Sequence, residues 1–189
     1  KANADDKTKL DAFAASVGEA KVKGSAAAKL AFYINAYNVT VIKSIVDQYP
    51  IESVMKVKGF FKAQKHPIAG KKMTLDALEN SVIRKEFAEA RIHFVLVCGA
   101  KSCPRLQRKA ATEKNLEDLL ESATKQFVPK ATKVSNGVIT TSQLFNWFKD
   151  DFVKAEGDVK LFLAKYDPED AKAIVEDNAK LEFSKYSWK

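Results

Sequence analysis

The sequence is short of the side chains that most often carry chemistry. It holds two histidines, two cysteines and four arginines in 189 residues. A structural zinc site needs four ligands, and His66, His93, Cys98 and Cys103 exhaust the supply without a tight histidine pair, so no metal is expected. Lysine so far outnumbers arginine that bidentate readout of phosphates or bases is poorly supplied, which argues against nucleic acid as a partner. No apolar run approaches the roughly 20 residues of a membrane-spanning helix. Repeats, heptads, low-complexity tracts and cofactor motifs are missing too, so no cofactor is expected. The chain does not begin with Met. It is read as following a removed signal or as starting inside a longer protein.

What is present suits a folded domain. Apolar residues make up 46%, with twelve Phe and five Tyr, enough for one sizeable core across 1–189. The net charge is +8. The one concentrated basic block is "KVKGFFKAQKHPIAGKK", Lys56 to Lys72, which reads either as a solvated loop or as a face for an anionic partner: nucleic acid, a lipid surface or a cell-wall polymer.

Apolar periodicity places helices at Asp5–Val17, from an N-cap at Ser25 to about Tyr49, from Thr74 to about Glu89, and at Thr112–Phe127. Ser142 caps a further helix to Phe152, with more helix to about Glu176. Asn35 and Asn38 interrupt the most apolar helix. Asparagine is a poor interior residue, so they either hold loop backbone or line a site. Asn136-Gly137 between β-branched runs predicts a hairpin near 133–141. The run Ile92–Cys98 predicts a strand buried on both faces, and Leu181–Trp188 a closing strand. The expected fold is α+β: one helix-rich domain with a small, mostly antiparallel sheet around the 92–98 strand.

A regular strand would put His93 and Cys98 on opposite faces, roughly 16 Å apart. Cys103 precedes Pro104, which suits the first position of a helix, so Cys103 is expected as an N-cap with a lowered pKa near Arg105 and Arg108. It is the better nucleophile candidate of the two. Neither cysteine has the arginine spacing of a tyrosine-phosphatase loop, and four intervening residues are not the two of a thioredoxin-type pair. A Cys98–Cys103 disulfide staple remains open, as does a role for Cys98 as plain core.

The blocks "LAFYINAYN", "TLDALENSVIR", "RIHFVLVCGAKSCPRL", "FNWFKDDF" and "YSW" resemble, in that order, the domain of unknown function 547 family. The resemblance covers nearly the whole chain. Its matching motifs centre on Asn35, Asn38, Glu79, Arg84, His93, Cys98, Cys103 and Pro104. Many members have Glu-His where this chain has Glu79-Asn80, an amide that does not titrate. The resemblance also implies a short N-terminal part missing before Lys1, an extracytoplasmic (periplasmic or secreted) location, and thiol chemistry, since some relatives are fused to glutaredoxin-like domains.

Two main readings follow. In the first, the chain is a cysteine-dependent hydrolase or acyl transferase. Cys103 attacks, His93 accepts the proton, Glu79 orients the imidazole and Asn35 offers an amide to the oxyanion, while Asn38, Arg84, Arg105 and Cys98 serve binding. In the second, it is a non-catalytic module stapled by Cys98–Cys103, whose basic block meets an anionic partner. A thiol redox protein is the third reading. Small molecules, peptides and anionic polymers all stay open as partners.

Overall fold

The computed structural model describes residues 3–189. Helix α1 (Ala4–Glu19) is capped by Asn3, whose side chain accepts the Asp6 N–H. Ser25 caps α2 (Ala26–Asp47) in the same way through Ala28. α2 is the spine of the molecule, with Leu30, Ile34, Tyr37, Val41 and their neighbours buried. Its apolar residues extend around most of its circumference, as expected of a helix covered on several sides.

The basic block does not stay a loop. After a 3-10 turn (Val54–Lys56), strands β1 (His66–Ile68) and β2 (Lys71–Met73) form a small antiparallel hairpin. The hairpin is pinned to the end of α1 by Ala69 and Gly70, whose amides donate to Val17 O and Gly18 O. Lys56, Lys58, Lys62, Lys65, Lys71 and Lys72 are all exposed.

Thr74 caps the next helix by accepting the Ala77 N–H. It runs as α3 (Leu75–Ala77), a π-helical stretch (Leu78–Ile83) and α4 (Arg84–Phe87), ending at Ala88 with φ near 50°. A π turn rotates the residues after it relative to a plain α-helix, and such turns are frequent at functional sites.

The predicted strand at 92–98 is absent. Ala90–Phe94 is a 3-10 helix, and Val95–Cys98 continues without regular structure. The segment is buried all round, yet it has no sheet partner. Asn38 takes that role, donating from Nδ2 to Val95 O at 2.9 Å and accepting the Val97 N–H on Oδ1 at 2.9 Å. Buried backbone polar groups must be paired, and a side-chain amide serves as well as a neighbouring strand.

Helix α5 (Leu116–Ala131) leads to the expected hairpin, β3 (Lys133–Ser135) and β4 (Val138–Thr141). Asn136 and Gly137 both have positive φ, as the tight turn requires. Helices α6 (Leu144–Trp147), α7 (Lys149–Glu156), α8 (Val159–Tyr166) and α9 (Ala171–Ile174) follow. Strand β5 (Lys180–Phe183) pairs parallel with β4, so the three-stranded sheet is mixed. The fold is α+β and helix-rich, with two small sheets, neither of them built on 92–98. Phe94 packs with Phe127 of α5, Phe145 of α6, Phe152 of α7 and Phe162 of α8, with tilted rings, which puts α5 to α8 against the 90–94 turn. Among the described residues no helix is long and apolar enough to cross a membrane.

Candidate functional site

Past Val97 the chain leaves the core at Cys98 and turns at Gly99. Gly99 has φ +69°, and a Cβ there would sit 2.6 Å from Ile45 Cδ1 and 3.1 Å from Val54 Cγ1. Only glycine fits both the angle and the space. The turn returns Cys103 beside Cys98, and the Cys98 N–H donates to Cys103 Sγ at 2.8 Å. No helix starts at Pro104: residues 104–110 are irregular, so Cys103 is no helix cap. Both cysteines are free thiols, near each other but not bonded.

Segment 184–189 closes over this turn. Ser102 N donates to Ser187 O, Ser187 N to Ser102 Oγ, Lys101 N to Lys189 O, and Ser53 Oγ to Trp188 O. That clamp sets the Tyr186 hydroxyl 3.1 Å from Cys98 Sγ. It also gathers Tyr186, Trp188 and Trp147 into one aromatic group, with ring centres 4.8 to 6.1 Å apart.

The thiols differ in acidity, in the reverse of the order the sequence suggests. Hydrogen bonding with the Cys103 thiol, outweighing burial, holds Cys98 below its ordinary value, and Tyr186 adds to the effect. The same contact, together with burial and the charge of Cys98, pushes Cys103 far up. Tyr186 is raised by burial and by the two sulfurs, so it stays a proton donor. Cys98 is therefore the readier nucleophile, since the thiolate is the reactive form.

Two acid–base groups face the same space. The π-helical stretch carries Glu79, which accepts the Tyr37 hydroxyl at 3.1 Å. Burial raises Glu79 to about 7, against the lowering effects of the Tyr37 hydrogen bond and the Arg84 charge. His93 is 3% exposed and stacks on Phe148, ring centres 3.8 Å apart and planes 17° apart. Its Nε2 lies 2.8 Å from Asp151 Oδ2. Asp151 is in turn held by Arg84, through Nε at 2.6 Å and Nη2 at 3.0 Å, and Arg84 Nη1 donates to Asn80 at 2.6 Å. Burial would raise Asp151, but the hydrogen bonds from His93 and Arg84, with the Arg84 charge, prevail and hold it low. Burial lowers His93 against the pull of Asp151, so its imidazole is neutral near pH 7.

These groups line one cleft of about 400 Å³. Cys98, Cys103, His93, Glu79, Asn80 and Tyr37 contribute to it, with Phe61, Trp147, Phe148 and Trp188 as apolar walls. Large, mainly apolar clefts with a few convergent polar groups are where ligands bind. Of the residues expected at a site, Cys103, His93, Glu79 and Cys98 meet here, and Arg84 supports them through Asp151 and Asn80.

Others do not meet here. Asn35 holds Ala111 by both backbone atoms, at 2.7 and 2.9 Å, and lines a separate hollow, so its amide is not free for an oxyanion in the cleft. Asn38 is spent on Val95 and Val97. Arg105 is exposed and faces another hollow, beside Lys101 and Lys130. Asp151, not Glu79, orients His93. The opposite-face placement argued for His93 and Cys98 assumed a strand that does not form, and both line the same cleft. Asp151, Tyr186, Trp147, Phe148 and Trp188 were missed as site residues, although they lie in the "FNWFKDDF" and "YSW" blocks. Among the described residues, no group of three or more His, Cys, Asp or Glu is arranged to hold a metal ion.

No curated protein and no solved structure matches the chain. A family model described as "Protein of unknown function, DUF547" matches residues 23–128, which include Glu79, His93 and both cysteines. Tyr186 and the two tryptophans that complete the cleft, and Asp151, which holds His93, lie beyond the matched stretch. With more than half of its length matched by that model, the chain belongs to the DUF547 family.

Proposed function

We propose that the cleft is the active site of a cysteine-dependent hydrolase or acyl transferase, with Cys98 and not Cys103 as the nucleophile. The observation that carries this reading is the meeting, in one cleft, of an acidified thiol with a neutral histidine fixed by a carboxylate. A thiolate, a positioned imidazole and an orienting acid are the parts a thiol acyl-transfer reaction requires, whatever their order in the chain.

Cys98 attacks the carbonyl carbon of an ester or thioester. The Tyr186 hydroxyl, beside the sulfur, is a donor for the charge that develops on the carbonyl oxygen. His93 makes no hydrogen bond through Nδ1 among the described residues, which leaves that nitrogen to move a proton at the cleft. It takes up the Cys98 proton as the sulfur attacks, returns that proton to the leaving group, and then takes one from the water or acceptor that releases the acyl group. Glu79, titrating at about 7, is a second proton carrier at the same wall. The aromatic walls favour an apolar acyl group or ring over a phosphate, since Lys62 is the one cation lining the cleft among the described residues.

The test is an acyl-adduct experiment. Incubated with p-nitrophenyl esters and aryl thioesters of increasing size, the chain should release a burst of leaving group and gain an acyl mass on Cys98. Cys98→Ser should abolish both, and Asp151→Asn should slow the burst by about 10² to 10⁴, the range for general acid–base groups. An acyl mass on no cysteine, or an undiminished burst in Cys98→Ser, would overturn the reading.

A further inference from the structure

Cys103 has no part in acyl transfer, yet the fold goes to some length to place it. The Gly99 turn, blocked to any Cβ by Ile45 and Val54, brings it back from five residues away. The Cys103 N–H donates to Ala100 O at 3.1 Å, tightening the turn. Its sulfur accepts the Cys98 amide at 2.8 Å and lies 3.9 Å from Leu96 O. Pro104, buried directly after it, fixes where the chain goes next. Both thiols open on the same aromatic-walled cleft. Two sulfurs held by one rigid turn at the wall of a binding cleft form a preorganised dithiol, not two isolated thiols.

We propose that this dithiol gives the cleft a second activity, the two-electron reduction of a small organic disulfide, with Cys98 attacking and Cys103 resolving. The proposal rests on the reading of Cys98 as the nucleophile of the cleft. In the first step the Cys98 thiolate attacks one sulfur of R–S–S–R. The substrate S–S bond breaks, a Cys98–S–S–R bond forms, and RS⁻ leaves and takes up a proton. In the second step Cys103 loses its proton and attacks the Cys98 sulfur. The mixed disulfide breaks, a Cys98–Cys103 disulfide forms, and the second R–SH leaves. Two electrons have passed from the protein to the substrate, and a low-molecular-weight thiol returns them.

The order of the steps follows from the surroundings of the sulfurs. Cys103 keeps its proton while Cys98 is a charged neighbour hydrogen-bonded to it. Once Cys98 is tied up in a mixed disulfide, that charge and that bond are gone and only burial still raises Cys103, so its proton comes off more easily at the moment it is needed. The cleft also suits the substrate: about 400 Å³, with Tyr186, Trp147 and Trp188 among its walls and the Tyr186 hydroxyl 3.1 Å from Cys98 Sγ. Divalent sulfur makes favourable contacts with aromatic rings.

The experiment uses the reduced full chain and the aromatic disulfide 5,5′-dithiobis(2-nitrobenzoate) at micromolar concentration. The expected result is a first addition at Cys98 followed by closure about a hundredfold faster than any second addition, because a tethered thiol acts at an effective concentration near millimolar. The final protein should carry no adduct and an internal disulfide, by intact mass and peptide mapping. Cys103→Ser should stop at a stable mixed disulfide on Cys98. If the wild-type chain instead ends with an adduct on each thiol and no internal disulfide, the proposal is overturned, while Cys98 as acyl acceptor stands or falls on its ester burst. First addition at Cys103 would overturn both readings. Rapid closure in a chain that forms no acyl adduct would uphold this proposal and remove the acyl-transfer reading alone.

Discussion

His93 and Asp151 are 58 residues apart in the chain and 2.8 Å apart in the fold. One belongs to the buried 3-10 turn and the other to the first turn of α7, with Arg84 bridging from the helix that carries Glu79. This pair joins the matched part of the chain to the part beyond it, and its consequences can be measured on it and around it.

Asp151 is held low and His93 is lowered, so both lend stability that disappears in acid. For Asp151 the contribution is complete above its unfolded value of about 3.9 and fades as pH falls through its folded value. For His93 it is complete above about 6.5 and fades as pH drops through the folded value below that. Asp151→Asn should therefore flatten the acid limb of a stability–pH curve measured by urea denaturation. At pH 7 it should cost about 2 kcal/mol, because Arg84 and His93 lose a half-buried charged partner. An unchanged acid limb would mean that the pair is not linked to folding.

Glu79 has the opposite sign. Its folded value of about 7 lies above the unfolded one, so its contribution is present below about 4.3 and is lost as pH rises through about 7. Glu79→Gln should leave the protein no less stable than wild type above pH 8 and comparatively weaker below pH 5. Thermal melts of both proteins across that range give the comparison, and a constant difference at all pH values would contradict the raised value.

Alkylation of the reduced protein by iodoacetamide at pH 7 should label Cys98 well before Cys103. Tyr186→Phe removes the hydroxyl 3.1 Å from Cys98 Sγ and should slow that labelling by about three- to tenfold, the loss of one hydrogen bond to the charged form. Peptide mapping at early times reads both outcomes. Equal labelling of the two cysteines would refute the assigned order of acidity.

Asn38→Ala should be among the most damaging single changes outside the apolar core. It leaves Val95 O and Val97 N buried without partners, at about 1–3 kcal/mol each. A urea midpoint near that of wild type would show that the 95–97 segment has another anchor. Gly99→Ala should lose about 1–3 kcal/mol from its left-handed backbone alone, with the Ile45 clash added. Its effect on Cys98 labelling should be larger than its effect on the far side of the molecule.

Ligand entry has a built-in reporter. Trp147 and Trp188, the chain's two tryptophans, both line the cleft, and Trp147 is 46% exposed. A small aromatic ester or disulfide that binds should change the intrinsic fluorescence of the whole protein, and Trp147→Phe should remove a large part of that change.

The sequence by itself determined the parts whose causes are local. Apolar periodicity and the caps at Ser25 and Thr74 placed the helices within a few residues, and Asn136-Gly137 placed the hairpin, because these signals act within one element. It also picked out Glu79, His93, Cys98 and Cys103, which do share a cleft. Only the tertiary structure decided how they face each other. A buried apolar run reads as a strand only if a strand lies beside it, and here Asn38 on α2 supplied the hydrogen bonds instead. The partner of His93, the hydroxyl beside Cys98 and the acidity of each thiol depend on groups brought from Asp151, Tyr186 and the Gly99 turn. Distances between residues far apart in the chain are set by packing, and no local pattern encodes them.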